Sequence, residues 1–202
     1  MQEINMTTYV MGDSHTRMFS QLDGVVIVKT EPAPTMFNSH NKNSSSKFYN
    51  IIMETADKMD KYKDRMILVC GEIDARIHIY HKHITMPVQC LGTSIEWYIA
   101  EATSHYEQTL KELEDKGTNF LVCGIPPAGK QGNFYKVPNY ADDNQRTEIY
   151  RMFHKQLKQF CYNKGYTFID VYTPFSDSKG FIKEKYIEDE VHLNVRFQAI
   201  PW

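Results

Sequence analysis

Nowhere in the sequence do 18 consecutive apolar residues occur, and the opening stretch MQEINMTTYV has neither a basic start nor a long apolar run. Both absences argue against a membrane span and a signal peptide, so the expectation is a cytoplasmic protein with no membrane partner. An excess of one charge is also lacking. The 23 Lys and Arg are spread among 25 Asp and Glu, for a net charge of -2. With no basic stripe there is no electrostatic footprint for nucleic acid, and no polybasic segment suggests a lipid surface. The four cysteines, Cys70, Cys90, Cys123 and Cys161, stand singly without CxxC spacing, which speaks against a zinc knuckle or a redox motif. Buried thiols are expected instead. Cys70 and Cys123 each end an apolar run, as small hydrophobes at corresponding ends of neighbouring strands would; a disulfide between them is the alternative, disfavoured in a reducing compartment. No Gly-rich loop follows the first apolar run, which weakens any nucleotide-binding reading of the flavodoxin type. Internal repeats and low-complexity linkers are absent too.

What is present fits one compact domain over residues 1–202, since 42% hydrophobic and 13% aromatic content supply a sizeable core. Five apolar runs of strand length, 7–11, 24–28, 66–70, 119–123 and 167–172, are rich in Val, Ile, Phe and Tyr. Longer amphipathic segments separate them. One, about 94–116, carries Ile95, Tyr98, Ile99, Ala102, Tyr106, Leu110 and Leu113 on one stripe; Thr93 and Glu96 have capping-box spacing and Gly117 supplies the stop. A second, about 143–164, shows Ile149, Met152, Phe153, Leu157, Phe160 and Cys161 on one face, with Gly165 behind it. A third, about 46–62, aligns Phe48, Ile51, Ile52, Met59 and Tyr62 after the polar loop NSHNKNSSS.

Near-continuous apolar strands alternating with helices indicate a parallel sheet covered on both faces, a three-layer α/β/α sandwich. In such sheets ligands lie beyond the carboxyl ends of the strands. The stretch YVMGDSHTRMF puts Ser14 there, at a strand-to-helix turn. Its hydroxyl is either a helix cap or a nucleophile beside unpaired helix N–H groups. Near the other end, Asp189 and His192 stand three residues apart in IEDEVHLN, a spacing that in a first helical turn brings a carboxylate to an imidazole. This pair is either a capped turn with a surface histidine or the orienter and base that a serine nucleophile requires.

Together these segments resemble the SGNH hydrolases, also called the GDSL esterase family. GDSH stands where the family's first block carries the nucleophile turn, DEVH followed by LN where its last block carries Asp-x-x-His, and GEID at 71–74 where its third block is Gly-x-Asn-Asp. The resemblance implies a five-stranded, flavodoxin-like sheet with Ser14 as nucleophile, His192 as base and Asp189 as its orienter. It also implies an oxyanion and substrate-binding group around Asp13, Gly71 and Asp74. Two departures stand out: Ile73 replaces the family's oxyanion-donating asparagine, and EPAPTMFN after the second strand offers no glycine, while Pro32 and Pro34 have no N–H. Substitute donors are the N–H groups of Ser14, Ala33 or Thr35, the Asn38 amide, or Arg76, which is slightly favoured because its charge offsets two lost neutral donors. In GEIDAR, Glu72 and Arg76 either brace the turn or recognise a polar substrate. The set GDSH, GEIDxR and DxVHLN is similar to a variant branch of the superfamily linked to carbohydrate chemistry.

The run RIHIYHKH, with His78, His81 and His83, reads as a solvated loop rather than a metal cluster. His15 either lines the site or faces solvent, and His154 packs on its helix. The Gly- and Pro-rich stretch 124–141 is long enough for a functional loop; its Phe134, Tyr135 and Tyr140 either stack on a sugar ring or cover the sheet edge. The reading is a serine esterase acting on an O-acyl, specifically O-acetyl, ester of a carbohydrate. It calls for no metal or organic cofactor, and its partner is a small-molecule or glycan ester; no oligomeric state is indicated. An acyltransferase using the same triad and a non-catalytic carbohydrate-binding module are the alternatives.

Overall fold

The computed structural model describes residues 6–86, 94–130, 140–189 and 191–199. Five parallel strands, β1 (Thr8–Gly12), β2 (Val25–Lys29), β3 (Arg65–Val69), β4 (Phe120–Cys123) and β5 (Thr167–Ile169), form one sheet in the order β2-β1-β3-β4-β5. The helices are α1 (Phe48–Lys58), α2 (Ile79–Thr85), α3 (Ile95–Asp115) and α4 (Asp143–Lys164). No helix among the described residues is long and apolar enough to cross a membrane.

Strand residues alternate between two cores, as the two-residue period of a strand demands. Met11, Met66, Leu68 and Val122 face the residues of α1 to α4; Val10, Ile67, Val69, Leu121 and Cys123 face the other way, onto Met18, Phe19, Val171, Ile182 and Leu193. Topology explains the asymmetry. The chain leaves β1 in one direction to reach β2 and makes every later crossover in the opposite direction, so right-handed connections place the β1-to-β2 turn on one face and the helices on the other. The order reverses beside β1, making its carboxyl end the switch point at which such sheets bind ligands.

The helix stripes hold with local corrections. Tyr98, Ile99, Ala102, Tyr106, Leu110 and Leu113 are all buried on α3. Its cap is Ser94, whose hydroxyl accepts the Trp97 N–H; Thr93, to which the capping-box spacing assigned this role, lies outside the described residues. α4 has a full capping box between Asp142 and Gln145 and ends on Gly165 at φ 71°. α1 stops at Met59, because Asp60 and Asp64 tie the following residues into a turn through the Asp60 and Tyr62 N–H groups. Tyr62 is accordingly 99% exposed rather than on the apolar stripe. β5 ends at Ile169, short of the expected Tyr172, because the Asp170 carboxylate accepts the N–H groups of Tyr172 and Thr173 and turns the chain away.

The histidine run forms helix rather than a loop: a π turn at Asp74–His78 leads into α2, anchored by fully buried Ala75 and Ile79. His154 packs against Tyr172, with ring centroids 4.7 Å apart. Cys70, Cys123 and Cys161 are buried free thiols, and burial pushes the thiols of Cys70, Cys123 and Cys161 up. Cys90, Phe134 and Tyr135 lie outside the described residues; the Tyr140 ring sits 4.4 Å from that of His81.

Candidate active site

Gly12 closes β1 at φ 147°, where an added Cβ would lie 1.7 Å from the Val69 carbonyl oxygen. This close approach lets the Asp13 N–H donate to that same oxygen at 2.9 Å and pins the turn to β3. A 3-10 turn follows over Ser14–Phe19, and its cap is Asp13, whose carboxylate accepts the His15 N–H at 2.8 Å. Asp13 therefore does the capping, and the Ser14 hydroxyl is left for another partner. That partner is His192, whose Nε2 lies 2.6 Å from Ser14 Oγ.

Asp189 and His192 do not sit in a helix, as their spacing suggested. They lie in a turn closed by a bridge between Ile187 and Leu193 and by a bond from the Glu188 N–H to the His192 carbonyl. Inside it the Asp189 carboxylate accepts the N–H groups of Val191 and His192 at 2.8 and 2.7 Å. The same carboxylate meets His192 Nδ1 at 2.7 and 2.9 Å. Partial burial opposes ionisation of Asp189, but the His192 ring and the two N–H groups outweigh it and hold the carboxyl at about 2. For His192, burial comes first and drives the imidazole below its ordinary value; Asp189 opposes this, and the charges of His15 and Arg17 add to it.

His15 is buried, and each of its ring nitrogens faces an acceptor: Nδ1 the Asp13 carboxylate at 3.0 Å, Nε2 the Val191 carbonyl at 3.2 Å. Burial disfavours its protonated form, yet Asp13, with help from Glu72 and the Val191 carbonyl, raises its pKa above the ordinary value. Both nitrogens can donate to these acceptors at once only in the protonated ring. Its centroid lies 5.0 Å from that of His192, so its charge opposes protonation of the candidate base. The sequence marked His15 only by its place in GDSH; that it would reach the loop before His192 had no local signal.

Gly71 opens the turn after β3 at φ 115°, where a Cβ would press on Met36. Asp74, fully buried, accepts the Met36 N–H at 2.6 Å and meets His78 Nδ1 at 3.4 Å. Burial raises its pKa despite these contacts. Asp74 thus secures the loop that carries Ala33 and Thr35 rather than facing a ligand. Arg76 grips Glu72 through two bonds, 2.7 and 3.2 Å, and Tyr150 donates to the same carboxylate at 2.6 Å. Burial works against the Arg76 charge, but Glu72 more than compensates and its pKa rises. This grip favours the bracing role for Arg76 over its reading as an oxyanion donor. Because Glu72 is buried, Arg76→Met is expected to lower unfolding free energy by about 3 kcal/mol, with Glu72→Gln in the same chain restoring much of it. Urea denaturation checks this. Unaltered stability together with a large fall in turnover would return Arg76 to the oxyanion.

Two pockets meet at this end of the sheet. The smaller, about 220 Å³, is lined by Gly12, Asp13, Ser14, Lys29, Thr30, Glu31 and Ala33. The larger, about 540 Å³, includes Ala33, Thr35, Asn38 and Ile73. The Asn38 amide is engaged by Thr35 Oγ1 at 3.3 Å. Lys29, Thr30 and Glu31 were not singled out in the sequence, although any residue just after β2 lies beside the end of β1.

No family model matches the chain, and no curated protein matches it. Solved structures do. A GDSL-like lipase of Bacteroides thetaiotaomicron is 11% identical, with 96% of this chain covering 82% of that one at a TM-score of 0.60. An acetyl xylan esterase is 13% identical over 93% of this chain and 91% of its own, at a TM-score of 0.52. A catalytic mutant of an acetylxylan esterase from Geobacillus stearothermophilus is 10% identical over 93% and 86%, at a TM-score of 0.55. With five parallel strands in one sheet and this likeness along nearly its whole length, the chain carries the fold of the SGNH, or GDSL, hydrolases.

Proposed function

We propose that the protein is a serine esterase that removes an O-acyl group, specifically O-acetyl, from a carbohydrate. The observation that carries this reading is the chain of short contacts from Ser14 Oγ to His192 Nε2 at 2.6 Å and from His192 Nδ1 to Asp189 at 2.7 Å. Ser14 attacks the ester carbonyl while His192 takes its proton; the tetrahedral intermediate collapses, and the sugar hydroxyl leaves with that proton. Water, activated by the same imidazole, then releases the acid from the acyl-serine. The oxyanion is met by the Ser14 N–H, which as the first of its turn has no intrahelical acceptor, and by the N–H of Ala33 or Thr35. The acetyl xylan esterases among the solved structures support the choice of ester and of a glycan.

A fluorophosphonate probe tests the reading. The expected result is a single adduct mapped to Ser14 and absent from Ser14→Ala protein. Folded protein that takes up no label would point instead to a binding module on the same scaffold.

A further inference from the structure

We infer that the Asn- and Ser-rich loop between β2 and α1 is the seat for the alcohol part of the ester, and that this seat takes an uncharged, polyhydroxylated group such as a neutral sugar residue. The inference rests on the esterase reading and specifies the half of the substrate that the triad does not touch.

The larger pocket carries Asn38, Asn41, Asn43, Ser44, Ser45 and Ser46 on its walls. It shares Ala33 with the smaller pocket that contains Ser14. A ligand that passes Ala33 from one to the other sets its alcohol part in the larger pocket while its ester lies at Ser14. The smaller pocket suits a short acyl group, and the larger has the volume of a ligand site.

Chemistry then narrows the occupant. No Lys, Arg, Asp or Glu lines the larger pocket, and its single titratable side chain, His78, faces Asp74. An anionic group would find no cation there, and a cationic group no carboxylate. In the smaller pocket Lys29 and Glu31 are of opposite sign, and the Asp13 carboxylate is taken up by the His15 N–H and ring. A long acyl chain would need apolar walls, whereas amides and hydroxyls dominate these. Asparagine and serine side chains both donate and accept, which is what a sugar hydroxyl requires, since it does both.

Several of these groups are held by one another. Asn41 Oδ1 accepts the Asn43 N–H at 2.9 Å, the Ser44 and Ser46 hydroxyls lie 3.3 Å apart, and Asn38 donates to Thr35. Among the described residues this leaves the Asn41 amino group, the whole Asn43 amide and the Ser45 hydroxyl unengaged. Both Asn43 and Ser45 are exposed at the pocket wall. A loop whose backbone is fixed by its own polar side chains, with three others unused, is preorganised for hydrogen bonding to a ligand.

The test compares two acetyl esters that differ only in the alcohol, 6-O-acetylglucose and phenyl acetate. In the double variant Asn43→Ala/Ser45→Ala, the ratio of kcat/KM for the sugar ester to that for phenyl acetate is expected to fall roughly tenfold. The fall should appear in KM for the sugar rather than in kcat. An unchanged ratio overturns the inference. A second arm does not depend on turnover: NMR titration of Ser14→Ala protein with 6-O-acetylglucose should shift the side-chain amide signals of Asn41 and Asn43, and glucose 6-phosphate should do so far more weakly. Equal shifts with both sugars, or none with either, also defeat it. Shifts in this arm without turnover in the first would leave the seat standing and sink the esterase reading.

Discussion

Replacing His192 with alanine is expected to lower kcat by about 10⁶-fold, close to the effect of Ser14→Ala, because a serine without its base is not a nucleophile and the two act as one unit. The wild-type pH profile carries the finer expectation. Catalysis needs the neutral imidazole, so kcat/KM rises with pH as His192 loses its proton. Burial first, with the charges of His15 and Arg17 behind it, places that titration below the ordinary histidine value of 6.5, and the bond to Asp189 draws it back only in part. The acid limb should accordingly have its midpoint under 6.5. His15→Gln removes the neighbouring imidazole and its charge contribution while keeping a side chain of similar reach, and should move the limb to higher pH. A limb at or above 6.5 in the wild type, unmoved by His15→Gln, would falsify this account of the site's electrostatics. Full activity in His192→Ala would remove the triad altogether.

Asp189→Asn should reduce kcat by up to about 10⁴-fold while leaving the far-UV circular dichroism unchanged. The aspartate accepts three hydrogens from its own turn: the N–H groups of Val191 and His192 and the Nδ1 proton of the ring. Asparagine keeps one oxygen for the backbone, but its amino group offers a hydrogen where the ring also offers one. The imidazole must then adopt the other tautomer, with its proton directed at Ser14. With its carboxyl held at about 2, Asp189 stays ionised throughout the working range, so no second acid limb should arise from it. Its contribution to the turn is present above the ordinary carboxylate range and fades only as pH falls toward 2. A loss of less than tenfold would assign the orienting role to a backbone carbonyl.

The architecture was legible in the sequence because it is written locally. Runs such as RMILV and FLVC have strand length, and the stripe from Tyr98 to Leu113 has helical period. The Gly-Asp-Ser turn and the Asp-x-x-His segment were locatable because each is short, but locally each left two readings open, and the helical turn expected for the second is not what forms. What stayed hidden depends on distant partners. Glu72 and Arg76 read equally well as substrate ligands until Tyr150 and burial show them to be a brace. The histidine run looks polar enough for a loop, but Ala75 and Ile79 sink into the core and draw it into helix. In a linear reading the loop NSHNKNSSS was only a connector, since nothing in its composition tells that it shares a pocket with Ala33 and Ile73. Tyr62 followed a helical rhythm that the turn at Asp60 had already ended.

Ser14 and His192 are 178 positions apart, yet they touch. The segment that brings the histidine is fastened by Leu193 in the second core with Val195 and Phe197 against it, by the Phe197 N–H to the Met18 carbonyl, by Arg17 to Glu188, by the ring of Phe197 against Phe19, and by His15 to Val191. Among the described residues it contributes no strand to the sheet and no long helix to either layer. A stretch in which Leu193 alone is fully buried among the described residues 191–199 opens at lower free energy than the sheet beneath it. Competence and foldedness are therefore separate properties of this molecule. During refolding, helix signal and core fluorescence should return before the serine regains its base, and under mild denaturant the order reverses, leaving a population that is compact, helical and silent.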